Sequence, residues 1–469
     1  MKMPRKRWIV LALLLLAGGM AWFLWSRKEP ADTRFTGAYR QEDGRLVFVT
    51  PREGDVLRYR MMNGESRALW PAGESAYTAG PGWAEPEPVE VEVAFGALGE
   101  DGRPTGFTWK RDGGEQTARR LDLPETFFTF PSGELTLRGK LVKPQGQGPF
   151  PAVVLVHGSG DESAVDYYAD PYLFASHGIA TLVYDKRGTG ESEGKYTQNF
   201  HVLARDVLAA VEWLRGRPEI DASRIHLAGY SQGGWIAPLA ASQTDGIRSL
   251  LIGYGPMVPV TGEDRWGYVY VLQKKGFGED ALREADRLDA VLSAIVDRGE
   301  DRWDELNRLL DEAEGKPWFE AVKGSDSMLG FVAGTWMPRW VMRLYAAWRL
   351  RDTGEEPFVD RLYDPYPTVD SLTGTPSLWI FGGEDNSMPT GWTVEKLERL
   401  RAAGRPIEIA VFPEADHGIL RFEETADGER RILGYEPGYF RMEVEWLRRQ
   451  SGLEPQTQNG SSLLSLASE

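Results

Sequence analysis

The chain has no cysteine among its 469 residues. That absence excludes disulfide frameworks, thiolate metal sites, cysteine nucleophiles and lipid-modified cysteines together. Histidine is scarce: the five present are scattered without ligand spacing, so neither a metal nor an organic cofactor is implied. Positive charge also falls short, since 54 Lys and Arg face 70 Asp and Glu and leave a net charge of −16. A nucleic-acid binder has to neutralise phosphates with Lys and Arg, so nucleic acid is excluded as a partner. What the chain does have is apolar material. Hydrophobic residues at 42% and aromatic residues at 11% suffice for a large core and exclude global disorder. The length fits roughly two or three domains.

The first thirty residues read as a signal anchor. Lys2, Arg5, Lys6 and Arg7 precede an uncharged run from Trp8 to Trp25. Its eighteen residues are the shortest stretch able to span a bilayer as a helix. The preceding cations hold the N-terminus in the cytoplasm, so the bulk of the chain is expected on the exported side of the cell membrane, periplasmic or extracellular. The competing reading is a signal peptide cleaved near Ala17-Gly18-Gly19, which gives a secreted protein.

Residues 31–125 read as a β-rich domain. Segments such as Arg45–Val49, Val56–Arg60 and Val89–Val93 alternate with period two, and Asp101-Gly102 and Asp112-Gly113-Gly114 mark turns between them. From residue 126 the pattern changes. Continuous apolar runs at Ala152–Val156, Ala180–Tyr184, Arg224–Ala228, Leu250–Ile252, Ser377–Phe381 and Ile407–Val411 read as strands buried on both faces. Helical periodicity separates them, as in Leu203, Val207, Ala210, Val211 and Leu214. Alternating strand and helix predicts an α/β fold with a mostly parallel sheet covered on both faces. Its two parts are residues 126–254 and 366–449. Between them, 255–365 reads as a helical cap, with one helix through Leu282, Ala285, Leu288, Leu292 and Ile295 stopped by Gly299. The next runs through Trp303, Leu306, Leu309, Leu310 and Ala313. The cap holds Trp266, Trp303, Trp318, Trp336, Trp340 and Trp348, most of them read as packing residues and two or three as pocket lining. Residues 450–469 read as a disordered tail.

The chemistry centres on Gly229-Tyr230-Ser231-Gln232-Gly233, between an apparent strand and an apparent helix. A serine nucleophile has to stand exposed on a tight turn, and small residues two positions either side allow that turn. Serine is a poor nucleophile without a base, and in such a sheet the order is Ser, acid, His. His157, His177, His201 and His226 all precede Ser231, which leaves His417, just after the last apolar strand. The acid belongs after the preceding strand, in Gly382-Gly383-Glu384-Asp385. Asp385 fits best, Glu384 is its competitor, and Asp416 reads as a solvated loop residue. An oxyanion hole needs two backbone N–H groups, assigned to Gln232 and, in His157-Gly158-Ser159-Gly160, to Ser159. Asp185–Ser192 nearly mimics a phosphate loop, but Thr189 and Tyr196 break the pattern, so it reads as a structural turn beneath the site.

Together, Val154–Gly160, Tyr184–Ser192, Gly229–Gly234, Gly382–Asp385 and Asp416-His417-Gly418 resemble the α/β-hydrolase superfamily. The nearest resemblance is to bacterial serine-aminopeptidase and dienelactone-hydrolase-like enzymes. It covers 126–254 and 366–449 and implies ester, thioester or amide hydrolysis through an acyl-enzyme. A carboxylesterase with a Ser-Asp-His triad is the leading expectation, acting on a small ester or peptide-like substrate. A peptidase or aminopeptidase and an acyl thioesterase are the alternatives, though 31–125 is too short for the multi-blade propeller of prolyl-oligopeptidase-type enzymes. A degenerate hydrolase fold serving as a binding module is the non-enzymatic alternative, opposed by a complete triad in the right order. Deleting residues 1–29 is expected to release a soluble, active protein, while the full chain stays in membranes through carbonate washing. Soluble activity from a mature chain lacking that segment identifies a cleaved signal instead.

Overall fold

The computed structural model describes residues 32–51, 56–83, 86–350, 358–426 and 428–454. The anchor expected at Trp8–Trp25 and most of the expected tail lie outside the described residues. Among the described residues, no helix is long and apolar enough to cross a membrane. The chain divides into two compact units, one of residues up to Arg60 with Arg67–Arg120, the other of Met61–Ser66 with the chain from Leu121.

The first unit is a closed barrel with its strands in chain order: β1 (Gly37–Gln41), β2 (Leu46–Pro51), β3 (Leu57–Met61), β4 (Ser66–Pro71), β5 (Ala76–Ala79), β6 (Val91–Phe95), β7 (Gly106–Arg111) and β8 (Gly114–Arg120). Closure comes from antiparallel pairing of β1 with β8, Tyr39 opposite Arg120. In β6 every second residue is buried, as a strand with one face inward requires. Inside, Phe95 packs on four rings: Phe35 at 4.3 Å between centroids, Phe107 at 5.6 Å, Tyr77 at 5.7 Å and Tyr39 at 6.0 Å. The interior is therefore filled with side chains.

The second unit is built on an eight-stranded sheet of β9 (Glu125–Ser132), β10 (Leu135–Val142), β11 (Phe150–Val156), β12 (Ala180–Tyr184), β13 (Ile220–Tyr230), β14 (Ile247–Gly253), β15 (Ser377–Gly382) and β16 (Ile407–Phe412). Their order across the sheet is β16-β15-β14-β13-β11-β12-β10-β9. From β11 to β16 all neighbours are parallel; β10 runs antiparallel to both β12 and β9. The chain leaves β11 for β12 on one side and later returns to β13 on the other. That reversal opens a crevice beyond the carboxyl ends of β11 and β13, where open α/β sheets bind ligands. The helix Phe200–Arg215 buries the expected stripe, Leu203, Val207, Ala210, Val211 and Leu214, with Asn199 capping its start by accepting from the Val202 N–H at 3.0 Å.

Between β14 and β15 the chain forms helices from Val260 to Leu350 with no strand of the sheet among the described residues. Glu279–Arg298 and Trp303–Ala313 cover the expected apolar stripes, and Gly299 ends the first in a left-handed conformation, φ +67°. Their cluster gathers Leu288, Leu292, Ile295, Leu306 and Leu310 around Trp318, with Trp266 and Trp303 packed at its edge. Trp336 and Trp340 depart from the expected packing role: they are 93% and 67% exposed. The Trp348 side chain lies outside the described residues. Two further departures concern the end of the chain. Antiparallel β17 (Leu420–Glu424) and β18 (Arg430–Tyr435) form a separate hairpin within the span expected to complete the sheet. Ser451, read as the start of a tail, is buried and shares a 3.0 Å hydrogen bond with His226 Nε2. Phe95→Ala is expected to destabilise the barrel by about 3–5 kcal/mol, the usual cost of emptying a buried aromatic site, as urea denaturation measures.

Candidate active site

Ser231 follows β13 directly and precedes the helix Gly233–Ala241. Its φ is +52°, a left-handed conformation that a non-glycine residue adopts only where its surroundings enforce it. The enforcement is visible at both glycines of the motif. A Cβ at Gly229 would fall 2.3 Å from the Gly233 carbonyl oxygen, and one at Gly233 would fall 2.1 Å from that of Val156. The turn closes only because neither residue has a side chain. The Ser231 N–H donates to the Gly253 carbonyl at 3.0 Å, which pins the turn to β14.

His417 and Asp385 stand on the loops that leave β16 and β15, so both reach the same end of the sheet as Ser231. Asp385 is buried. One of its oxygens accepts from the Ser387 and Met388 N–H groups at 2.9 and 2.8 Å; the other faces His417 Nδ1 at 2.8 Å. A carboxylate only accepts, so Nδ1 carries the proton and donates, and in the neutral ring Nε2 is left as the acceptor. The Ser231 hydroxyl lies 3.1 Å from Nε2 and donates to it. The three sequence-assigned residues therefore form one continuous relay. Burial pulls the His417 pKa down, but the charge and hydrogen bond of Asp385 together outweigh it and raise the value above 6.5, with Glu263 adding to the rise.

The competitor Glu384 turns away from this relay: it is about half exposed and meets Lys274 at 3.2 Å. Asp416 requires a correction. It is no solvated loop residue but a buried one, 2.5 Å from Arg430, and it accepts from the His417 N–H at 2.7 Å and the Asn386 N–H at 3.4 Å. The Arg430 guanidinium, presented by β18, also donates to the Glu384 carbonyl at 2.8 Å and to the Tyr270 hydroxyl. One arginine thus ties the acid loop, the histidine loop and the helix Val260–Lys274. The same helix donates from Trp266 Nε1 to the Asp385 carbonyl at 3.1 Å. Tyr254, also at positive φ (+42°), sets its ring against the His417 imidazole edge to face, with centroids 4.8 Å apart. On the Val260–Lys274 helix, Glu263 is pushed up to about 8 by burial, against the pull of His417. None of Arg430, Tyr254 and Glu263 belongs to a short motif. The only sequence signal was the position of Tyr254 one residue past an apolar strand.

Gln232 is buried at the start of the nucleophile helix, and Gly158 packs against Ser231, with room for a Cβ only 3.4 Å from the serine's own. The N–H groups of Gln232 and Ser159 have no hydrogen-bond partner among the described residues. The Asp185–Ser192 turn is tied to its neighbours: Asp185 accepts from the Ser163 hydroxyl at 2.8 Å and the Val165 N–H at 3.1 Å, while Arg187 pairs with Asp206 at 2.6 Å. The four remaining histidines stand apart from the relay. His226, for example, is held between the Ser249 and Ser451 hydroxyls.

Residues 153–429 match the family model described as the alpha/beta hydrolase family. The chain is 30% identical over 210 residues to Esterase EstD of Thermotoga maritima, across 42% of this chain and 49% of that protein. It is 26% identical over 308 residues to Thiohydrolase aneE of Aspergillus aculeatus, across 64% of this chain and 89% of that one. The chain thus spans about half the length of the first of these relatives. Among solved structures, an acylaminoacyl peptidase of Pyrococcus horikoshii aligns at 18% identity with a TM-score of 0.44, covering 88% of this chain and 57% of that one.

Only a neutral imidazole accepts the serine proton, so turnover is expected to fall as pH drops through a value above 6.5. Asp385→Asn is expected to lower kcat about 10⁴-fold and to move this acid limb to lower pH, because the charge that raises His417 is gone. Glu384→Gln is expected to leave both near wild type. A greater loss from Glu384→Gln would shift the acid by one residue.

Proposed function

Since this chain belongs to the alpha/beta hydrolase family, we propose that it is a serine hydrolase acting on carboxylic esters through an acyl-enzyme. The reading is carried by the Ser231–His417–Asp385 relay, with contacts of 3.1 and 2.8 Å. Ser231 Oγ attacks the acyl carbonyl as His417 Nε2 takes its proton. Asp385 fixes the imidazole tautomer and stabilises the imidazolium without itself becoming protonated. Negative charge develops on the carbonyl oxygen, and the unpartnered N–H groups of Gln232 and Ser159 are the donors assigned to it. The tetrahedral adduct collapses as His417 returns the proton to the leaving alcohol. Water, deprotonated by the same imidazole, then attacks the acyl-enzyme and releases the acid.

Ester rather than amide bonds are proposed because the Thermotoga relative is named an esterase. An ester carbonyl is less resonance-stabilised than an amide, and its oxygen departs more readily than an amide nitrogen, so the same relay meets a lower barrier on esters. The exported membrane location rests on the Trp8–Trp25 run. Ser231→Ala is expected to abolish turnover and fluorophosphonate labelling while far-UV circular dichroism stays unchanged; full labelling of this variant removes Ser231 as nucleophile. On a panel of chromogenic esters of graded acyl length and aminoacyl arylamides, esters are expected to dominate. Arylamide cleavage alone overturns the ester assignment in favour of a peptidase.

A further inference from the structure

Lys186 takes no part in the relay, yet its ammonium is buried directly behind the site. It follows β12 in the Asp185–Ser192 turn, where Asp185 and Glu191 face Arg138 and Arg187 pairs with Asp206. Lys186 Nζ points the other way and donates to the Gly158 carbonyl, to the Gly160 carbonyl at 3.3 Å and to Gln232 Oε1 at 3.2 Å. An ammonium has three N–H donors and no acceptor, so three acceptors satisfy it completely.

These acceptors belong to the two segments that carry the Ser159 and Gln232 amides. In a trans peptide the carbonyl oxygen and the following N–H point in opposite directions from one rigid plane. The Gly158 oxygen and the Ser159 N–H share such a plane. Drawing that oxygen onto Lys186 turns the Ser159 N–H away from the lysine. The hold on Gly160 fixes the carbonyl two residues on, the Ser159 carbonyl between them accepts from the Tyr196 hydroxyl, and the hold on the Gln232 side chain anchors the residue that supplies the second amide. We propose that Lys186 is the positioning residue of the oxyanion hole, a three-point clamp that aims the Ser159 and Gln232 N–H groups at the developing oxyanion. The proposal rests on the serine hydrolase reading above.

The clamp needs the charged form. A neutral amine keeps two N–H donors and presents its lone pair to the third acceptor, which is repulsive. Burial brings the Lys186 pKa down to about 7, against the attraction of Glu162 and Asp161 in the loop after β11. His157 of that loop is also close; burial first and the lysine charge second hold it well below its ordinary range, so it stays uncharged. Tyr196 also faces the ammonium, its ring 5.8 Å from Nζ. The free enzyme is then active only where His417 is neutral and Lys186 is charged, so activity is expected to fall on both sides of that window.

The test compares wild type with Lys186→Met, using an aryl ester and circular dichroism to establish folding. Lys186→Met is expected to lower kcat about 10²-fold with little change in KM, the signature of losing an interaction made in the transition state. In wild type, kcat/KM is expected to fall as pH rises through about 7, and that alkaline limb is expected to vanish in Lys186→Met. A folded Lys186→Met with wild-type kcat overturns the clamp. So does an alkaline limb that persists in the variant, since it then belongs to another group such as Glu263. Should that variant not fold, Lys186→Arg decides, since a guanidinium keeps its charge: loss of the alkaline limb or its move to higher pH supports the clamp, and an unmoved limb overturns it. Absence of ester turnover and of fluorophosphonate labelling in wild type marks failure of the hydrolase reading itself, and the clamp falls with it. Turnover that depends on Ser231 but not on Lys186 removes the clamp alone.

Discussion

The site depends on how closely the start of the helix Gly233–Ala241 is pressed against the ends of β11 and β13. At Gly229 and Gly233 the backbones approach until no Cβ fits, and Ser231 is driven to positive φ between them. This packing lifts the serine out of the sheet and leaves the amide of the next residue unpartnered. It also sets Ser231 beside Gly158, so the loop after β11 becomes part of the same site. A side chain at either glycine would push the helix back, and the histidine, acid and oxyanion loops would lose their common target. The strain at Ser231 is sustained by the whole α/β unit, since β11, β13 and β14 all hold the turn.

The parts legible in the sequence are those in which local pattern and topology coincide. The Gly229–Gly233 motif lies within five residues, and the chain order of Ser, acid and His singles out His417 among five histidines. The parallel strands announced themselves as unbroken apolar runs because both their faces are covered. Long-range pairing was not legible. Asp416 was misread because its partner Arg430 comes from a hairpin that returns to the histidine loop, and a charged loop residue shows no sign of a distant counter-ion. The hairpin itself was missed because β17 and β18 are only partly buried and lack an apolar run. Trp336 and Trp340 look like any core tryptophan in sequence; only the fold leaves them outside.

Charge is handled differently on the two sides of the relay. On the acid side, Asp385 is satisfied by two loop N–H groups and one imidazole N–H, so its charge is held without a cationic side chain in contact. Next to it, Asp416 and Arg430 neutralise each other and are hydrogen-bonded further, the arrangement under which a buried ion pair is tolerable. On the oxyanion side, a buried ammonium stands behind the loop, its donors occupied by carbonyls. The Ser231–His417–Asp385 relay therefore lies between a hydrogen-bonded carboxylate and a hydrogen-bonded ammonium, and the proposed imidazolium would find its counter-charge already oriented.

The hydrogen bond from Trp266 to the Asp385 carbonyl, with the bridge from Tyr270 through Arg430 to Asp416, bears on how a substrate gets in. The helix Val260–Lys274 resembles a lid by position, but it is fastened to the same two loops that align the imidazole. Swinging it aside would cost these bonds, each worth about 0.5–1.5 kcal/mol, and would slacken the relay with them. Admission and alignment thus compete for one set of contacts. An enzyme wired in this way keeps that helix in place as part of the machinery that aims the imidazole.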